Sequence, residues 1–208
     1  MDETTTKLFA KIDLTTKGAL LSDDRAYRYL LWRPVKRPAL PLLDDQGPKV
    51  ALWVMLNPSS ADEVKPDRTV DRCVSFAGQW GCTAILVVNL FAIRSKNPAT
   101  ILAVPDPVGP SNDWILQAIL QLPELDPVVV AWGVDGCLVP GRIEQVVAML
   151  GDRQLLALGT TKEGHPRHPL YLSRSTDLVP WSTSSMVDRR TARKRPARHI
   201  QTTAPSPR

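Results

Sequence analysis

The chain has 208 residues, 43% hydrophobic and 23% charged, with a formal net charge of +5. That composition is globular and long enough for one sizeable core, and no apolar run approaches the ~20 residues of a bilayer crossing, which excludes a disordered chain and a membrane protein. Cys73, Cys82 and Cys137 form no CxxC pair, which argues against an iron–sulfur cluster, a zinc site or a disulfide framework and points to the cytoplasm.

Residues 1–24 read as a loosely structured lead-in, and MDETTTKLFAKIDL has no apolar core, so no signal peptide is expected. RAYRYLLWR (25–33) reads as a strand stopped by Pro34, and the proline-rich stretch 35–48 as a loop. KVALWVML (49–56) is an apolar run of strand length, as expected for a strand buried on both faces. NPSSADEVKPD then forms a loop. A helix is expected over about 68–80, with Val70, Cys73, Val74 and Ala77 on one face and Gly81 as its stop. AILVVNLFA (84–92) is a second buried strand. Ser111 and Asn112 are N-cap candidates for a helix near 113–122. VVVAW (128–132) is a third buried strand, broken by Gly133. Pro140 suits the first position of a helix reaching about 150, and QLLAL (154–158) is a fourth strand. Residues 182–208 hold seven Lys and Arg against Asp188 alone, so the tail carries +6 and the rest of the chain −1. Rich in Ser, Thr and Pro, this tail is expected to be disordered and able to hold a phosphate backbone without reading sequence.

Strands alternating with helices imply an α/β fold: a three-layer α/β/α sandwich with a mostly parallel central sheet, occupying 25–181 as a single domain. Ligands in such sheets bind outside the carboxyl ends of the strands. Asn57 to Asp67, Asn89 to Arg94, Trp132 with Gly133, and Lys162 to Tyr171 all fall there, so four polar segments are expected to meet in one cleft. The chain has no GxGxxG, no GxxxxGK[ST] and no GxSxG, so the dinucleotide, Walker and serine-hydrolase readings are set aside and no cofactor is expected. His165 and His168 sit three apart in a proline-containing loop and lack identifiable further metal ligands.

LNPSSAD (56–62), DRTVDRC (67–73), VNLFAIRS (88–95), DPVGPSND (106–113), AWG (131–133) and LGTTKEGHPRHPLYL (158–172) together resemble the bacterial domain family of unknown function number 1643. More distantly, Asn57-Pro58-Ser59 is similar to the NPG-type motif of the uracil-DNA glycosylase superfamily. Asn89-Leu90 resembles its middle motif, and His168-Pro169-Leu170 its final HPSxL-type loop. Ser59 stands where that superfamily has glycine, and HPLY where it has HPSPL. The resemblance implies a uracil-DNA-glycosylase-like sandwich whose cleft binds or acts on a nucleobase, nucleotide or nucleic acid. DNA, RNA and free nucleotide all stand as partners, and no membrane is expected.

In such a site Asn57 would place a water or hold a base edge, and His168 would donate to a base carbonyl as charge builds there. Asp67 or Asp62 would act as base. Arg72, Lys162 and Arg167 would hold phosphate, and Tyr171, Phe91 and Trp132 would offer rings for stacking. Pro58, Ser59 and Asn89 complete the expected contacts. The bland alternatives are an Asx turn at Asn57, an N-cap at Asp67, loop bonding at Asn89 and core packing for the rings. Hydrolysis of an N-glycosidic bond is the enzymatic form of this reading. Its alternatives are a non-catalytic nucleic-acid or protein interaction module, and a small-molecule hydrolase or transferase unrelated to nucleic acid.

Overall fold

The longest apolar runs of the chain form the middle of the sheet. A computed structural model describes residues 3–36, 48–59 and 67–186. In it β3 (Val50–Met55) and β4 (Ala84–Asn89) are buried at every residue. Their side chains alternate between two cores. Val50, Leu52, Val54, Leu86 and Val88 pack on one face of the sheet, and Ala51, Trp53, Met55, Ile85 and Val87 on the other. That period of two is why a continuous apolar run can serve as a strand covered on both sides.

The sheet has seven strands in the order β1-β2-β4-β3-β5-β6-β7. These include β1 (Gly18–Leu21), β2 (Arg28–Pro34), β5 (Leu125–Val130), β6 (Leu155–Ala157) and β7 (Val179–Pro180). The four central strands β4, β3, β5 and β6 run parallel. β2 pairs antiparallel with β4, β1 with β2, and β7 with β6. The sheet is therefore mixed, and the expectation of a mostly parallel one holds only for its centre. The edges escaped because β1 and β7 are short and their pairing is set by distant partners. The lead-in likewise holds structure: α1 (Glu3–Phe9) and then β1. Gly18 opens β1 because the Trp32 ring lies where its Cβ would stand, at 2.0 Å.

Helix α2 (Arg68–Gln79) packs Val70, Cys73, Phe76 and Ala77 against the Trp53 side of the sheet. The short α3 (Thr100–Ala103), with α4 (Asn112–Ile119) and α5 (Arg142–Leu150), covers the other side through Ile101, Ile115, Ile119, Ile143 and Val146. Helix α5 begins two residues later than expected: Gly141, with φ +81°, is its N-cap, and Pro140 lies before it. Ser111 occupies the N-cap of α4 without a side-chain capping bond. Asn112 instead donates from Nδ2 to the Asn89 carbonyl at 3.0 Å, fastening α4 to the end of β4. Among the described residues no helix is long and apolar enough to cross a membrane. Residues 187–208, most of the basic tail, lie outside the described residues, as does Asp62.

Candidate functional site

From the end of β3 the chain turns to α2 on one face; from the end of β5 it turns to α5 on the other. β3 and β5 are neighbours, so a crevice opens between their carboxyl ends. This is the switch point at which α/β sheets bind ligands. A cleft of about 660 Å³ lies there, bounded by Asn57 and Ser59 after β3, Asp67 to Thr69 at the start of α2, and Ser95 and Lys96 beyond β4. Trp132 to Asp135 after β5 and His168 close it. Of the residues expected at the site, the cleft brings together Asn57, Ser59, Asp67, Trp132 and His168.

The Asn57 amide nitrogen donates to three carbonyls: Ser95 at 2.9 Å, Pro58 at 3.2 Å and Ile93 at 3.3 Å. Three acceptors around one nitrogen fix which way the amide points. The side chain thus ties the loop after β4 to the loop after β3 and accepts no bond through Oδ1 from any described residue. Pro58 is buried beneath it and accepts from the Ser95 amide at 2.8 Å, so it shapes the loop from behind.

Asp67 caps α2. Its Oδ1 accepts from the Thr69 and Val70 amides at 2.8 and 3.2 Å, and its Oδ2 from the Ser59 hydroxyl at 2.5 Å. Burial pushes this carboxyl up. The Ser59 hydroxyl, the two amides and the Arg28 charge outweigh it and hold Asp67 below its usual value. It is therefore a weak base, and both of its oxygens are engaged. The N-cap alternative describes its local role.

His168 precedes the short 3-10 turn Pro169–Tyr171, and its Nδ1 accepts from the Leu170 amide at 3.4 Å. That bond leaves the proton on Nε2. Burial lowers the pKa of His168, against a smaller upward pull from Asp67. Burial thus favours the neutral ring, with Nε2–H as its donor.

Apart from Trp132, which contributes only a covered ring, the expected residues that follow do not line this cleft. Arg72 donates to the Leu172 carbonyl and lies over the Phe76 ring, 5.0 Å from its centroid, which turns it away from the cleft and braces the 169–172 segment. Asn89 is buried, and its side-chain oxygen accepts from the Arg28 guanidinium on β2 at 3.3 Å, a bond to a neighbouring strand rather than to loop backbone. Phe91 is core. Trp132 is only 2% exposed and meets Trp181 edge-on at 5.1 Å, so it forms floor rather than an open stacking face. Lys162 and Arg167 are exposed outside the cleft, and Tyr171, 86% exposed, stands free of it on the far end of the same turn as His168. Sequence reasoning missed Arg28, Arg68, Thr69, Ser95, Lys96 and Asp135. Arg28 alone left a signal, as a charge inside an apolar strand. Among the described residues no group of three or more His, Cys, Asp or Glu could hold a metal ion.

A mixed sheet with four parallel central strands and a polar crevice at its switch point defines an α/β protein. Within that class the chain belongs to a family described as proteins of unknown function, DUF1643, whose model matches residues 28–170. The match runs from β2 to the turn after His168 and so contains the whole cleft. No curated protein and no solved structure matches the chain.

Proposed function

We propose that the switch-point cleft binds a nucleobase-bearing ligand, with His168 Nε2–H donating to a base carbonyl and Asn57 Oδ1 accepting from a base N–H. The observation that carries this is that His168, whose Nδ1 is taken by the Leu170 amide, and Asn57, whose oxygen accepts from no described residue, line one cleft of about 660 Å³. A base edge presents that alternation of acceptor and donor. The cations Arg68 and Lys96 on the cleft wall suit an attached phosphate. A uracil-DNA-glycosylase-like fold and a cytoplasmic setting belong to the same proposal.

Binding is better supported than cleavage. The residue expected to activate water, Asp67, is a depressed, fully engaged cap. The chain outside the tail carries a net −1, which supports a free nucleotide or a short single strand over a duplex footprint. The test is a salt-series titration of the full chain with free nucleotides and labelled single- and double-stranded oligonucleotides, with abasic product measured in parallel. Saturable binding lost in both His168→Ala and Asn57→Ala supports the proposal. Absence of binding to every base-bearing ligand, by a folded protein, overturns it.

A further inference from the structure

A second cavity, about 690 Å³, shares Val134 and Asp135 with the cleft and is otherwise separate from it. Cys137, Glu144 and His165 line it. Cys137 is exposed and in no disulfide, and its Sγ lies 3.8 Å from His165 Nδ1. His165 is only 5% exposed, so the imidazole has little freedom to leave.

The backbone holds it in place. The His165 amide donates to Thr161 Oγ1 at 3.3 Å, and its carbonyl accepts from the Thr161 amide at 2.8 Å. Trp181 Nε1 donates to the Gly164 carbonyl at 3.0 Å. Gly164, at φ +80°, has the Ser185 carbonyl oxygen where a Cβ would stand. Segment 181–186 thus clamps the turn that carries the imidazole.

The other two thiols differ. Burial pushes the Cys73 thiol far up and Cys82 to about 11. Neither can supply thiolate near neutrality. Cys137 combines an accessible sulfur, a positioned imidazole and a cavity of ligand size.

We propose that Cys137 and His165 form a reactive thiol site that exchanges with small disulfides. His165 Nδ1 takes the thiol proton. The Cys137 sulfur attacks one sulfur of RS–SR, forming the Cys137–SR bond as the RS–SR bond breaks. The departing thiolate takes the proton back from His165. One disulfide is consumed and one formed, so no other oxidant is needed. The cavity holds the R group. Asp135, on the 134–138 turn, and Glu144, on α5, are the carboxylates that line it; negative charge near the pair favours a protonated imidazole and opposes a thiolate. The imidazole therefore has to outweigh them, and the pH profile reads that balance.

The experiment treats the full chain with 2-hydroxyethyl disulfide, a neutral probe, across pH 6 to 9.5. Intact mass and peptide mapping follow the adduct in wild type, Cys137→Ser and His165→Gln. One adduct on Cys137 is expected, with a rate at pH 7 at least tenfold above that of a simple exposed thiol. His165→Gln is expected to lose at least tenfold at pH 7 and to recover by pH 9.5, where a thiol ionises unaided. A wild-type rate that rises only through the ordinary thiol range near ~8.5 overturns the proposal even if His165→Gln fails to fold. So does an adduct that maps elsewhere, or a folded His165→Gln that reacts like wild type at pH 7.

Discussion

The Ser59 hydroxyl donates to Asp67 at 2.5 Å, joining the segment just after β3 to the N-cap of α2. The same carboxylate caps that helix through the Thr69 and Val70 amides. One residue therefore shapes both the cleft wall and the helix that supports it.

Asp67→Ala is expected to lower stability by about 1 kcal/mol, within the range for loss of an N-cap. The pH dependence has a defined sign. The folded pKa of Asp67 lies below its ordinary 3.8. Its contribution is thus present above that ordinary value and is lost as pH falls through the folded one. Ser59→Ala removes one of the bonds that depress the pKa, so its folded value moves up toward the ordinary one. Denaturant melts at pH 7 and across pH 2 to 5 check both. An Asp67→Ala protein whose acid limb matches wild type would show that the carboxylate contributes nothing there.

The imidazole of His168 gives the opposite kind of group with the same direction of effect. Its folded pKa lies below 6.5 because burial disfavours the charged ring. Below 6.5 the unfolded chain binds the proton that the folded chain refuses, so folding stability falls as pH drops from 6.5 to the folded pKa. Above 6.5 the group adds no slope. His168→Gln is expected to flatten this window. A ring-proton NMR titration reads the shift directly, and a midpoint at or above 6.5 contradicts it.

How much of this was legible in the chain follows from what determines each part. β3 and β4 were visible because their burial is written in continuous apolar runs. α2 was visible because its cap and its apolar spacing are local. β1 and β7 were not, since four and two residues say little without their partner strands. Three of the four polar segments expected to meet after the strands line the cleft; in place of Asn89 to Arg94 it has Ser95, Lys96 and Pro98. Its actual bonds were not legible: Asn57 reaches Ser95, 38 residues on, and Arg28 reaches Asn89, 61 residues on. Asn112 looked like a cap and serves as a tether, a choice decided by the Asn89 carbonyl above it.

Arg142 is a buried guanidinium that fastens α5 to the rest of the domain. Its Nε donates to the Leu90 carbonyl at 2.7 Å, and its Nη atoms reach both Asp113 oxygens at 3.0 and 2.5 Å. The side chain is 2% exposed, while Asp113 is 44% exposed. Arg142→Met keeps much of the packing volume but leaves the Leu90 carbonyl unpaired by this donor. A loss of roughly 1–3 kcal/mol is expected, with the cleft's ligand affinity little changed. Asp113→Asn should cost less, because the Leu90 bond stays intact and the asparagine oxygen, at a position 44% exposed, still accepts from the guanidinium. Equal costs for the two variants would place the energy in the ion pair rather than in the buried carbonyl bond.

Asn57 offers the sharpest separation between scaffold and proposed ligand contact, because all its side-chain bonds to described residues lie at the nitrogen and the oxygen is the end that the proposal assigns to the ligand. The nitrogen faces the carbonyls of Pro58, Ile93 and Ser95. Asn57→Asp replaces that donor with an oxygen facing three acceptors, which repels rather than binds. Asn57→Ala removes the bonds without adding repulsion. Stability should therefore fall in the order wild type, Ala, Asp, with the Ala step roughly 1–3 kcal/mol for carbonyls left short of a donor. Amide exchange at Ser95, whose N–H donates to Pro58, should accelerate in both variants as the 93–96 segment loosens. The Asp variant should tolerate the site better as pH falls, since a protonated carboxyl regains one donor. An Asn57→Asp protein as stable as wild type at pH 7 would mean that the amide does not hold the loop, and the two walls of the cleft would need another tie.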